Sequence, residues 1–496
     1  MPPRIVRHRS VVPAVHREQV KGSYSWGTFL GNLLRTLNRS GDVRLRCPDT
    51  VVPVESFHEA SLVEYMRSID TSVKVEVALL GDYGYRHETL KLYWFARVLK
   101  ILGYRILLRY EGMDEKDDNI YDFWVNISSQ DIKPIGYCAK DIETRALVPP
   151  QIIHERQSNW RQYILSQIPS YRTLSINWPE ILVQKLTSHK FKIGDEVELL
   201  DSIYRLRVRP AYVGQVIGSR IWVSVSEEFM IRPTIIKGDP QIGEGVWMDQ
   251  NSPLIFPIGW ARRVGYMLEA NRDYFKHIEK ISTAYMLKPV GNPYQKHDTL
   301  KIKTEKGEMI WEKGMKLEVL DPFGTWNELR VATVTAIMND GFLKIGFDGE
   351  MEHYSVPLHY TSELLFPVGY GAKYGILVKK PKNVHDPGIF NWSIYLEKIN
   401  GVPAPEELFH TFSDDVLKNF KVGASLEATD MCESNLICPA TISSHHGRLM
   451  RISYEGWGNN YNQLFDYRSP NIFPLGWCEM HGYRLSSPAM AKKRRR

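Results

Sequence analysis

The pentapeptide FPLGW, Phe473 to Trp477, has three relatives earlier in the chain: KPIGY ending at Tyr137, FPIGW ending at Trp260 and FPVGY ending at Tyr370. Their glycines, Gly136, Gly259, Gly369 and Gly476, are separated by 123, 110 and 107 residues. A period of this size means four copies of one small module. A second landmark keeps the same register in three of them: FKIGDEVELLD (Phe191 to Asp201), WEKGMKLEVLD (Trp311 to Asp321) and FKVGASLEATD (Phe420 to Asp430). Each has an aromatic residue, a glycine three residues on, a glutamate seven on and an aspartate ten on. In copy one the counterpart falls within VKVEVALLGDYG and is blurred and lengthened.

Between the landmarks the residues alternate and favour β-branched types, as in VATVTAIMNDGFLKIGFDG (Val331 to Gly349) and ICPATISSHHGRLMRISYEG (Ile437 to Gly456). Each reads as strand, tight turn (Asn339-Asp340-Gly341 or His446-Gly447) and strand. Short strands with turns at this density predict small antiparallel barrels. Stretches of helical spacing precede them, such as SNWRQYILSQI (Ser158 to Ile168) and FNWSIYLEKING (Phe390 to Gly401). In the latter, Trp392, Tyr395, Leu396 and Ile399 share one face. A short helix cannot bury that stripe alone, so each is expected to lie as an arm against a barrel, making the array compact.

At 496 residues, with 43% apolar residues and 13 tryptophans, the chain reads as folded throughout. Its formal charge of +6 comes from the two ends. Arg4, Arg7, Arg9, Arg17 and Lys21 face only Glu18 in the first 21 residues, and Lys492, Lys493, Arg494, Arg495 and Arg496 close the chain. The remainder carries 53 basic and 56 acidic residues, so the folded body is not a general polyanion binder. The KKRRR end reads as a nuclear-import signal or a phosphate-contacting tail, and equally as a solvated tail.

The five cysteines (Cys47, Cys138, Cys432, Cys438, Cys478) form no C-x-x-C pair, and Cys432, Cys438, His445 and His446 fit no common zinc spacing. Cys438, inside LICPATI, reads as a core thiol, and no metal or cofactor is expected. The longest apolar run, Tyr93 to Tyr110, is interrupted by Arg97, Lys100, Arg105 and Arg109, so no membrane partner is expected and the reading is a soluble, reducing, intracellular setting. No phosphate-loop, dinucleotide, zincin or nucleophile-elbow motif occurs, and HETLK (His87 to Lys91) lacks a second histidine. The sequence therefore argues against an enzyme and for a binding module.

The blocks FNWSIYLEKINGVPAPEELF, FKVGASLEATD and ISYEGWGNNYNQLFDYRSPNIFPLGWCEMHG, with IYDFWVNISSQDIKPIGYCAK in copy one, resemble the malignant brain tumour (MBT) repeat of chromatin proteins. The resemblance covers about residues 22 to 489 and implies a mainly β fold with helical arms. Each of four tandem repeats would be a five-stranded Tudor-like barrel plus an extended arm. The expected division is 1–21 basic tail, 22–147 repeat one, 148–270 repeat two, 271–381 repeat three, 382–489 repeat four and 490–496 basic tail. The family implies a nuclear, Polycomb-related reader of mono- and dimethyl-lysine on histone tails, acting in transcriptional repression. Its pocket combines the aspartate ending the LE-x-x-D strand with aromatics from the turn before the P-x-G-W segment.

Counting back from each P-x-G proline tests the copies. Copy four has Tyr454, Trp457 and Tyr461 at 20, 17 and 13 residues before Pro474, with Asp430 in place, and is expected to form a methyl-ammonium cage. The plainer reading of the three aromatics is an edge-of-core cluster. Copy three has Asp321, Phe347 and Tyr354 but Glu350 at the tryptophan position, so a degenerate pocket is expected. Copy one offers Asp82, Tyr110 and Tyr121 as a candidate pocket, with Met113 at the middle position. Copy two has Asp201 with Glu244 at the outer position and reads as structural, its aspartate serving a turn or cap. Expected partners are methylated histone-tail peptides, nucleosomal DNA through the basic tails and other chromatin proteins. The alternative is a scaffold of four barrels whose tails alone bind DNA or RNA.

Overall fold

The structure, a computed structural model, describes residues 12–13, 23–80, 91–113, 122–154, 156, 159–167, 171–231, 239–284, 297–304, 307–385, 388–412 and 414–487. The basic runs at both ends, with Asp82 and Tyr121, lie outside these residues. Four sheets follow one plan. In the fourth, Ser425–Thr429, Ile437–His446, Leu449–Tyr454 and Gln463–Asp466 form an antiparallel meander, and the short strand Ile472–Phe473 returns to pair with the first. The sheet thus curls into a five-stranded half-barrel. The central hairpin of each sheet carries a register shift at the same place, between Val98/Lys100, Trp222/Val223, Val334/Ala336 and Ile442/Ser444. Such bulges sharpen the twist and let so small a sheet close on itself.

The two repeating landmarks turn out to be one device. The glutamate of each LE-x-x-D strand is buried, and its carboxylate accepts backbone N–H groups from the P-x-G-aromatic loop. Glu427 takes Gly476 and Cys478 at 2.8 Å each, Glu318 takes Gly369 and Gly371, Glu198 takes Gly259 and Ala261, and Glu76 takes Gly136 and Cys138. The loop glycines have φ between 81° and 92°, a left-handed conformation that disfavours any side chain. A short helix begins at the aromatic residue that follows in copies two to four, and one residue later, at Cys138, in copy one.

The arms dock one barrel back. The helix Trp392–Ile399, which opens repeat four and is capped by the Asn391 side chain, sends the Trp392 indole N–H to Glu318 of barrel three at 2.7 Å. The helix Arg272–Ala284 packs on barrel two, where Tyr274 faces Glu198 and His277 meets Glu196 at 2.6 Å. Trp160, before barrel two, sets its ring 5.1 Å from Trp94 of barrel one. The first arm completes the cycle: Trp26 donates to Glu427 of barrel four at 2.8 Å, and Tyr24 to Glu455. A buried tryptophan of this kind contributes on the order of 3–5 kcal/mol, judged by truncation to alanine. In the fourth arm Trp392 and Tyr395 are buried and Leu396 is partly covered, but Ile399 is exposed, because the stripe runs off the barrel at the last turn.

The closing helices join the barrels. Trp260 packs on Phe342 beside the hairpin turn of barrel three, with ring centroids 5.0 Å apart. Tyr370 caps the hairpin of barrel four, donating to the His446 carbonyl at 2.8 Å, and a Cβ at Gly447 would stand 2.5 Å from its hydroxyl. Trp477 meets the turn glycine Gly218 of barrel two, while Tyr104 and Asn126 of barrel one bond Leu475 and Gly476. Barrels two, three and four therefore form a closed ring, with barrel one attached to barrel four. A hairpin added to the repeating plan, Thr299–Thr304 with Gly307–Glu312, leads into barrel three.

Candidate functional site

In barrel four the LE-x-x-D strand ends at Asp430, where the chain turns before the second strand. The carboxylate is partly exposed, and its Oδ1 accepts the Cys432 N–H and the Gln463 amide, each at 2.9 Å. Among the described residues no basic side chain forms an ion pair with it. Next to it Tyr454 is buried and donates its hydroxyl to the Thr429 carbonyl at 2.6 Å, with the Gln463 amide oxygen 2.7 Å away. Burial, with the nearby Asp430 charge, pushes the Tyr454 phenol far above its ordinary range, so it stays neutral. The turn after Tyr454 brings Trp457 and Tyr461 together with ring centroids 5.0 Å apart and planes inclined at 56°. Trp457 is half-buried against the barrel core, and Tyr461 is 50% exposed.

Tyr454 thus lies against the Asp430 turn through Thr429 and Gln463, and its strand leads into the turn on which Trp457 and Tyr461 pair. Edge-of-core packing accounts for Tyr454 but not for Tyr461, whose ring is half in solvent. The chemistry offered is an aromatic face for a cation plus an acceptor for an N–H.

Gln463 is the residue that sequence comparison passes over. Its Nε2 holds Asp430, and its Oε1 receives the Met431 N–H at 2.9 Å beside the Tyr454 hydroxyl. The other copies carry Phe123, Val246 and Val356 at this offset, so none of them has an amide here to hold its aspartate.

Barrel three has the same parts, already engaged. Asp321 is buried, and Arg205, from the loop after the corresponding strand of repeat two, places Nη1 3.1 and 3.2 Å from its two oxygens. The Arg205 guanidinium lies 4.5 Å over Phe323 and 5.5 Å from the Tyr354 ring. Arg330 bonds Asp321 at 2.8 Å and sits 4.3 Å over the Phe347 ring. Glu350 accepts from Arg330 and Lys382, both at 2.8 Å. The degenerate pocket expected from the missing indole is thus a pocket filled by the chain's own cations, and Glu350 is their counter-charge.

In barrel two Asp201 is fully buried, and its Oδ1 accepts the Ile203 and Tyr204 N–H groups at 2.8 and 2.9 Å, a turn role. Its other oxygen bonds Arg207. Arg209, also buried, reaches Asp239 and Gln241 at 2.7 and 2.5 Å. Of the barrel-one candidates Tyr110 is described: it is buried with its ring 4.9 Å from Phe123, and Met113 is buried beside the same core. Cys438 lies in the core of barrel four, where burial raises its thiol to about 12.

The sequence profile of the mbt repeat matches residues 85–154, 196–275, 315–385 and 424–492. Protein lin-61 of Caenorhabditis elegans is 34% identical over 460 residues, 88% of this chain and 73% of lin-61. MBT domain-containing protein 1 of Homo sapiens is 33% identical over 445 residues, 89% of this chain and 65% of that protein. Polycomb protein Sfmbt of Drosophila melanogaster is 29% identical over 449 residues, 88% of this chain and 35% of Sfmbt. A crystal structure of the four MBT repeats of Drosophila melanogaster Sfmbt in complex with the peptide RHR(me)KVLR superposes with a TM-score of 0.74 at 27% identity, covering 94% of this chain and 99% of that one.

Proposed function

The chain belongs to the MBT-repeat family, and from that premise we propose that its fourth repeat reads methylated lysine through Asp430, Tyr454, Trp457 and Tyr461. The observation that carries the proposal is a contrast among three aspartates at one structural position. Asp201 and Asp321 are neutralised by arginines of the chain itself, whereas Asp430 faces no such partner among the described residues. A partly exposed carboxylate and two partly exposed rings on the same half-barrel suit a methylated ammonium, whose dispersed charge desolvates more cheaply than that of bare lysine. Asp430 Oδ2 would accept the remaining N–H of mono- or dimethyl-lysine, a bond that trimethyl-lysine cannot offer. The Sfmbt complex with a peptide bearing methylated lysine supports this choice of ligand.

On this reading the protein is a nuclear chromatin reader that docks on methylated histone tails and serves transcriptional repression, with no catalytic step. The Polycomb name of one relative supports the setting. Rings of this kind contribute about 0.5–2 kcal/mol each, so a single cage binds weakly, and the basic ends could add contacts to nucleosomal DNA that gain from effective concentration. Titrating the RHR(me)KVLR peptide in un-, mono-, di- and trimethyl forms against wild type and Trp457→Ala tests the cage. Binding of the lower methylated forms by wild type and its near-loss in the variant, with an unchanged melting temperature, is the expected result. Equal binding by both proteins would end the assignment.

A further inference from the structure

Equivalent residues of the four half-barrels can be matched through their strand registers. Ala96, Ala211, Ala332 and Ala440 pair with Tyr110, Val225, Phe347 and Tyr454, the last residues of the third strands. Two residues earlier on the same strand, pointing to the same face, stand Trp94, Arg209, Arg330 and Cys438, paired with Val77, Leu199, Val319 and Ala428. This position faces the pocket from below. In barrel three it sends Arg330 to Asp321 and over the Phe347 ring. In barrel two Arg209 bonds Asp239 and brings Nε within 3.6 Å of Asp201, adding a second cation to Arg207, which bonds Asp201 at 2.8 Å. In barrel one Trp94 fills it, its indole N–H bonded to the Glu111 carbonyl at 2.9 Å. In barrel four the side chain is a single thiol, buried in the core beside Tyr454.

We infer that Cys438 determines whether the fourth pocket is open to an external cation, because the residue at this strand position decides whether the barrel supplies its own. The inference rests on repeat four being the methyl-lysine site and names the residue that makes it one. The Arg330 guanidinium stands between a carboxylate and an aromatic face, the two contacts a methylammonium needs. A cysteine ends short of both, so the Asp430 carboxylate keeps no internal cation among the described residues. Gln463 then braces Asp430 from the opposite strand in place of an arginine. Cys438 is a positioning residue, acting through the charge and space it leaves to Asp430.

The test is Cys438→Arg in the full chain, titrated with the dimethyl form of RHR(me)KVLR. Binding is expected to fall at least tenfold while the melting transition stays cooperative, since barrels two and three already house arginine at this position. Cys438→Ala should bind within about threefold of wild type. In the Cys438→Arg background Asp430→Asn should produce no further loss of binding but should lower the melting temperature, as an internal ion pair requires. Cys438→Met, long but uncharged, supplies the measurement where the arginine variant fails to fold, and it too should lose most binding by occupying the space. Wild-type affinity in a folded Cys438→Arg or Cys438→Met variant would overturn the inference. Absence of binding by wild type would instead remove the methyl-lysine reading on which it rests.

Discussion

Arg205 of repeat two bonds both carboxylate oxygens of Asp321 in repeat three, at 3.1 and 3.2 Å, as a foreign cation would in an aromatic cage. The loop that carries it is fixed at both ends: Asp201 holds the Ile203 and Tyr204 N–H groups, and the Arg205 N–H bonds the His353 carbonyl at 3.0 Å. Repeat three has turned a ligand pocket into an inter-repeat clamp. Arg205→Ala should therefore lower unfolding stability by about 2 kcal/mol, less than for a fully orphaned buried carboxylate because Arg330 still pairs Asp321. Peptide binding at repeat four should be unchanged. Urea midpoints and a peptide titration on the same variant check both halves.

Glu350→Trp restores the indole that repeat three lacks, but leaves both arginines in place and deprives Arg330 and Lys382 of their acceptor. In a Trp457→Ala background no methyl-peptide binding should appear, and stability should drop by about 1–2 kcal/mol. A gain of binding would show that the arginines do not block the pocket.

Asp430→Asn keeps the shape of the side chain but removes the charge and disturbs the Gln463 brace. Loss of a charge-assisted hydrogen bond costs about 1.5–3 kcal/mol, so mono- and dimethyl peptides should weaken about tenfold or more. The trimethyl peptide, having no N–H to lose, should weaken less. Calorimetric titration of the three forms separates the cases, and equal losses would reduce Asp430 to a point charge.

The buried strand glutamate of barrel two makes stability pH-dependent. Burial pushes the Glu198 carboxyl up to about 7, outweighing the Ala261 and Gly259 N–H groups that favour its anion. The folded state then holds a proton that the unfolded chain releases near 4.5, so the contribution is complete below pH 4.5 and is lost as pH rises to about 7. Glu198→Gln does not titrate. The stability of wild type relative to this variant should fall by about 3 kcal/mol between pH 4.5 and 8. Comparing the two proteins isolates Glu198 from Asp249, raised to about 6, and His481, lowered to about 4, which titrate in both. A constant gap across the range would refute the assignment.

The repeating plan was legible because its landmarks are chemical necessities: the loop glycine has a positive φ, and the strand glutamate answers two loop N–H groups. Tyr461 stood out because an aromatic in a Gly-Asn turn has little core to enter, and its ring is half exposed, whereas Tyr454 lies in the barrel core and Trp457 packs against it. The docking of each arm on the preceding barrel was not, since a helical stripe says that one face is covered and not by what. Nor were the internal cations, because Arg205 and Arg330 read in sequence like any surface arginine until folding places them on Asp321. Gln463 differs from its counterparts in the other copies, so comparing repeats hides it. The hairpin Thr299–Thr304 with Gly307–Glu312 has no counterpart among the described residues of the other copies, so comparing repeats does not reveal it.

The bond from Trp26 to Glu427 spans 401 residues, and it imposes an order in time. At a synthesis rate of roughly 5–20 residues per second, Trp26 leaves the ribosome about 20–80 s before its acceptor exists. Barrels two and three can each receive their arm soon after they are made, because that arm is the next segment translated. Barrel four must wait for none, since its arm was made first, but that arm must wait for its acceptor through the making of 401 further residues. The nascent chain therefore carries an aromatic hook well ahead of its acceptor, a natural substrate for a holding chaperone until the fourth half-barrel closes over it.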